Sequence, residues 1–146
     1  MATFKTVRLD EGNKIPAEFL PPGAGGPQEW SWHFPGTLTV RTGLASRKVP
    51  SSGVAPTGTA FTPIRLIATL GTIPTATTGA KVRARLAANG STVAEVTIVS
   101  GNMDADVALS ATVTPGDFLT IDILEVTTTT PVVAGDLTVA LWWGWV

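Results

Sequence analysis

Apolar and polar residues alternate with period two over much of the chain, the pattern of strands buried on one face. The series opens with Thr37-Leu38-Thr39-Val40-Arg41. Residues 63–70 follow a proline start and carry Ile64, Leu66, Ile67 and Leu70. Over 81–86, Val82, Ala84 and Leu86 alternate with Lys81, Arg83 and Arg85, and this strict cation spacing argues against a helix. Asn89-Gly90 comes next, the strongest short-range hairpin signal. Residues 92–99 place Ala94, Val96 and Ile98 on one face, and 106–113 is the next candidate strand. Residues 118–126 set Leu119, Ile121 and Ile123 against Thr120 and Asp122. In the last strand Leu137, Val139, Leu141, Trp143 and Trp145 share a face. Pro115-Gly116-Asp117 and Ala134-Gly135-Asp136 read as one turn chemistry used twice, with Gly at positive φ and Asp capping. Seven or more short strands with regular turn signals predict an all-β fold, a single antiparallel β-sandwich of jelly-roll or Ig-like type.

The N-terminal stretch breaks this pattern. Pro16, Pro21, Pro22 and Pro27, with Gly23, Gly25 and Gly26, block any long helix or central strand. Phe4, Ile15, Phe19 and Leu20 are nevertheless too apolar for a free linker. Burying each would contribute about 1.5–3 kcal/mol, enough to offset the ordering of a short segment. The expected organisation is an extended anchoring arm over residues 1–29 and a sandwich domain over residues 30–146.

Composition narrows the function classes. The chain has 146 residues, ten Lys/Arg against eleven Asp/Glu, and only 14% charged residues, where about 25% is usual. So little charge argues against electrostatic nucleic-acid binding and favours association with other subunits. Cysteine is absent, which removes disulfides, thiolate metal sites and cysteine nucleophiles. Phe4, Lys5 and Arg8 precede no apolar run, so neither a signal peptide nor a membrane span is expected. Synthesis in the cytoplasm is the expectation.

Candidate chemistry is sparse. Asp104 and Asp106 follow Gly101-Asn102 but lack the remaining ligands of a calcium loop, so a solvated turn is preferred. No serine sits in a nucleophile-elbow pattern. Asp117 and Asp136 precede strands that look adjacent, yet their turn context favours capping over a glycosidase pair. Lys81, Arg83 and Arg85 are too few for nucleic acid and read as charges guarding an edge strand. No catalytic residue, metal ligand or cofactor is expected.

Aromatic residues carry the strongest signal. Trp30-Ser31-Trp32-His33-Phe34 opens the domain and Trp142-Trp143-Gly144-Trp145 closes it. The preferred reading has the first and last strands meeting. Trp30, Trp32, Trp142, Trp143 and Trp145 would then divide between the core and an oligomer contact. The competing reading makes them a sugar-stacking platform.

These segments carry a resemblance. Residues 30–43, from Trp30 to Gly43, look like the entry strand of small β-sandwich domains in tailed-bacteriophage structural proteins. Ile64-Arg65-Leu66-Ile67-Ala68-Thr69-Leu70-Gly71-Thr72, residues 78–86 with Asn89-Gly90, and the two Gly-Asp turns are similar to such domains as well. Leu9-Asp10-Glu11-Gly12-Asn13-Lys14-Ile15-Pro16 and Leu20-Pro21 resemble linkers in phage fibre proteins. The resemblance implies a non-enzymatic virion protein on the surface of a capsid or tail, and a homo-oligomer, expected to be a trimer. With no collagen-like repeat and no heptads, a compact capsid decoration or short head fibre is preferred over a minor tail or tail-fibre protein. The partners implied are other copies of the chain and a major capsid or tail protein gripped by the arm. A host surface glycan is the partner in the carbohydrate-binding alternative. Neither nucleic acid nor membrane insertion is implied.

Overall fold

A computed structural model describes residues 27–72, 80–127 and 134–146. Its strands are β1 (Gln28–Thr37), β2 (Arg41–Lys48), β3 (Phe61–Thr72), β4 (Lys81–Ala88), β5 (Ser91–Val99), β6 (Asp104–Ala108), β7 (Phe118–Thr127) and β8 (Gly135–Trp145). They form two four-stranded sheets packed as a sandwich, in the orders β1-β8-β3-β6 and β2-β7-β4-β5, with every pairing antiparallel. Strand 1 pairs with 8, 2 with 7, 3 with 6 and 4 with 5. That nesting is a long hairpin rolled into two sheets, the jelly roll, which decides between the two sandwich types expected.

The period-two pattern accounts for the core. Leu66, Ala68 and Leu70 of β3, Val82, Ala84 and Leu86 of β4, Leu119, Ile121 and Ile123 of β7, and Leu137, Val139 and Leu141 of β8 are all buried in one cluster. Asn89 and Gly90 both take positive φ, 47° and 85°, as a two-residue hairpin of the primed type requires. The Asn89 side chain also ties this turn to β7. Its Oδ1 accepts from Phe118 N at 2.9 Å, and its Nδ2 donates to Asp117 Oδ1 at 2.8 Å.

Several expectations are corrected. Thr37–Arg41 is no strand: pairing in β1 stops at Thr37, and residues 38–40 turn the chain into β2. The cause is Pro35-Gly36, where the register slips and Gly36 takes φ 79°. β1 begins at Gln28, so Gln28 and Glu29 belong to the sandwich rather than to the arm. Pro63 sits inside β3 instead of starting it. It is tolerated because the register shifts between Pro63 and Arg65, a bulge that needs no N–H there. β6 ends at Ala108, well short of residue 113. β4 is a central strand, not an edge, since β7 and β5 flank it.

The two Gly-Asp turns also differ. Gly116 takes positive φ and Asp117 Oδ2 accepts from Thr114 N at 3.1 Å, as expected. At the second, Asp136 itself takes φ 55°, and its Oδ1 accepts from Gly36 N at 2.7 Å. A Cβ on Gly135 would lie 2.9 Å from the Gly36 carbonyl oxygen, and one on Gly71 would lie 2.8 Å from Asp136 Cβ. Gly71→Ala is therefore expected to destabilise the fold by about 1–3 kcal/mol through overpacking. Urea unfolding checks this, and an unchanged midpoint would show that Asp136 can move aside.

Candidate functional site

The five tryptophans are dealt to different environments by strand parity. Trp30 and Trp32 lie opposite Leu141 and Val139 in the β1–β8 register, so both point inward. Trp32 is buried, and its Nε1 donates to the Ala45 carbonyl of β2. Trp143 is buried and stacks on Phe61 with ring centroids 4.5 Å apart. Trp30 and Trp145 flank Trp143, each with centroids 5.3 Å away. Together they close the end of the sandwich where residue 27 enters and Val146 leaves.

Trp142 alone of the five stands on the outer face of the β1-β8-β3-β6 sheet, with 37% of its surface exposed. Glu29 lies opposite it on β1 and Arg65 opposite it on β3. Its Nε1 donates to Glu29 Oε2 at 3.0 Å, and Arg65 pairs with Asp106. The neighbouring outward positions carry small residues: Ser31 opposite Ala140, two along the β1–β8 register, and Gly144, two along β8. Strand parity thus turns four of the rings inward and one outward.

The outer face of the opposite sheet is an ion-pair ladder. Lys81 pairs with Glu125, Arg83 with Glu125 and Glu95, and Arg85 with Asp122. The Thr127 hydroxyl, and then Lys81 and Arg83, hold the Glu125 carboxyl below the usual carboxylate range. The alternation sets Asp122 on the face away from Leu119, Ile121 and Ile123, yet only 2% of it is exposed. Arg85 Nε donates to its Oδ2 at 2.8 Å, and Gly43 N donates to its Oδ1 at 2.6 Å. Gly43 takes φ 69°, so β2 bulges over the carboxylate.

The acidic candidates do not converge. Asp117 and Asp136 lie on different sheets, the first ahead of β7 and the second in β8. Asp104 and Asp106 lie on strand β6 rather than in a turn, and no cluster of three metal-ligating side chains occurs among the described residues. No helix among them is long and apolar enough to cross a membrane. Phe4, Ile15, Phe19 and Leu20 lie outside the described residues.

A groove that the sequence did not suggest lies on the side of the sandwich, between edge strands β1 and β2. Ser31, Trp32 and His33 line one wall, and Ala45, Ser46 and Arg47 the other, around about 280 Å³. The Arg47 guanidinium lies 5.8 Å from the Trp30 ring centroid and 5.4 Å from that of Trp32. Its Nη2 donates to the Ser31 carbonyl at 3.0 Å. Nothing in the spacing of residues 31–33 and 45–47 signals that they meet, because β1 and β2 belong to different sheets.

A scan of the sequence against protein-family models gives no match, and a search of curated proteins gives none either.

Proposed function

We propose that this chain is a non-enzymatic structural protein of a tailed-phage virion, a trimeric capsid decoration or short head fibre anchored by its N-terminal arm. The observation that carries the reading is the placement of the one outward tryptophan. Trp142 stands beside Pro27, Gln28 and Glu29, where the arm joins the domain. An apolar ring on an open sheet face next to the anchor suits a contact between copies, since exposed apolar surface of this kind usually marks an interface. The strand order agrees with it by fold analogy, as jelly rolls recur in viral capsid proteins, although they recur in lectins too.

Two measurements test the reading. Light scattering of the purified protein should give a mass near three chains, and a monomer at micromolar concentration counts against the trimer. Deleting residues 2–22 should leave the thermal transition nearly unchanged, because β1 pairs with β8 from Gln28 onward without them. The same deletion, or Phe19→Asp with Leu20→Asp, should abolish incorporation into particles, since each new carboxylate would be buried unpaired. Particles that carry the deleted form at full occupancy would place the anchor in the sandwich instead. Cryo-EM density of those particles distinguishes head from tail.

A further inference from the structure

The charges of the domain are unevenly satisfied, and those left over lie on two separate surfaces. Lys81, Arg83 and Arg85 meet Glu95, Asp122 and Glu125 on the outer face of the β2-β7-β4-β5 sheet, and Arg65 meets Asp106 on the other. The remaining described cations, Arg41, Arg47 and Lys48, all lie on β2, and none has a carboxylate partner among the described residues. The described carboxylates without a cation are Glu29, Asp104, Asp117 and Asp136. Asp117 caps the turn before β7. The other three share the outer face of the β1-β8-β3-β6 sheet with Trp142. Glu29 lies opposite Trp142 itself. Asp104 lies opposite Thr69, which lies opposite Thr138 of β8, and Asp136 stands at an even step along β8 from both Thr138 and Trp142. Hydrogen bonds to Trp142 Nε1 and Gly36 N orient Glu29 and Asp136 without neutralising them.

The two surfaces match. All six residues are exposed, and no ion pair joins them within one domain, because β2 edges the opposite sheet. Arg41 to Lys48 spans about 20 Å of strand, and Glu29 to Asp136 about the same, at about 3.3 Å per residue. Each surface also has an apolar part. Ile67 and Ala140, both half-buried, neighbour Trp142 on the sheet face, while Val40, 62% exposed, stands beside Arg41. The ion-pair ladder on the other sheet is satisfied within itself and calls for no partner. Symmetry separates the remaining choices. Trp142 face on Trp142 face is an isologous contact and closes a dimer, whereas a closed trimer needs two different patches of one chain to meet.

The geometry points to a head-to-tail contact between copies of this chain, in which Arg41, Arg47 and Lys48 on the β2 edge of one copy lie against Glu29, Asp104 and Asp136 on the Trp142 face of the next. The inference rests on the trimer proposed above and names the surface that its Trp142 face meets. It also covers β2, an edge strand that otherwise stays open to other chains.

The test is light scattering of the full chain over a dilution series, with charge-reversed variants. Arg41→Glu with Lys48→Glu reverses the β2 edge and spares Arg47, which packs on Trp30 and Trp32. Glu29→Lys with Asp104→Lys reverses the sheet face. Each pair should weaken the trimer at least about tenfold, because like charges then face each other. All four changes together should return assembly to within about threefold of the parent. Adding Glu95→Lys and Thr97→Lys on β5 to the β2 reversal offsets most of its net charge away from the contact. That variant should stay dissociated, which separates facing charges from overall repulsion. Should a reversed variant fail to fold, Arg41→Gln with Lys48→Gln and Glu29→Gln with Asp104→Asn take its place, each pair weakening assembly about threefold or more. A parent that is a monomer or a dimer removes the trimer and this contact with it. A trimeric parent that ignores either pair, or that the four changes fail to restore, overturns the contact alone and leaves the trimer standing. Restoration by the β5 lysines overturns it likewise.

Discussion

Asp122→Ala should cost about 3 kcal/mol of folding stability, the largest loss expected from any polar substitution in the domain. The carboxylate is nearly inaccessible and serves two strands at once. On β4 it accepts from both Arg85 Nε and Nη2, and on β2 it accepts from Gly43 N. Removing it leaves a guanidinium whose side chain is 23% exposed without a counter-charge, and leaves an amide N–H without an acceptor. Breaking one side of a buried pair typically costs about 3–5 kcal/mol; the water that reaches Arg85 sets the lower end. Arg85→Met combined with Asp122→Leu should recover most of the loss, because an apolar pair of similar volume strands no charge. Urea unfolding of the two single variants and the double variant closes the cycle. A loss below about 1 kcal/mol for Asp122→Ala would put the pair with ordinary surface ion pairs.

This residue also marks how far the sequence could be read. The alternation Leu119, Thr120, Ile121, Asp122, Ile123 places Asp122 on the outer face correctly, and in the structure it is there. What period two cannot report is that β2, bulging at Gly43, folds over that position and buries it. Such burial depends on the register of a strand that comes from a different part of the chain. β2 itself was illegible for the same reason. Arg41-Thr42-Gly43-Leu44-Ala45-Ser46-Arg47-Lys48 has no alternation, because as an edge strand with two register shifts it contributes only Leu44, half-buried, to the core. Strands buried on one face throughout, such as β4, β5 and β8, announced themselves.

Chain topology set the other limit. Lys81, Arg83 and Arg85 were legible as one face but not as a central one. Their neighbours Glu95, Asp122 and Glu125 come from β5 and β7, and only the strand order brings all six into a ladder. The β1–β2 groove could not be foreseen either, since it needs both the jelly-roll nesting and the Arg47 rotamer over two indoles. By contrast, the meeting of the first and last strands was legible from composition. Two tryptophan-rich segments at opposite ends of a sandwich domain have most to gain by sharing one apolar end.

That shared end supplies a sharp contrast between adjacent residues. Trp143→Ala should lower folding stability by about 3–5 kcal/mol, because it opens a cavity among Trp30, Phe61 and Trp145 that their rings cannot refill. Trp143→Phe should cost far less, about 1 kcal/mol. It keeps the stacking partner for Phe61 and removes an indole N–H that has no acceptor among the described residues, so the lost volume is partly offset by a relieved polar group. Trp142→Ala should leave folding within about 1 kcal/mol of the parent, since it gives up one exposed hydrogen bond to Glu29 and little packing. On the trimer proposed above, its effect should fall instead on assembly, reducing the scattering mass from three chains toward one. Stabilities need to be compared at dilutions where the parent's midpoint no longer depends on protein concentration, so that lost association is not counted as lost folding. If Trp142→Ala stays trimeric while Trp143→Ala merely destabilises it, the outer sheet face is not the contact between copies, and the trimer interface must be sought elsewhere on the domain or in the arm.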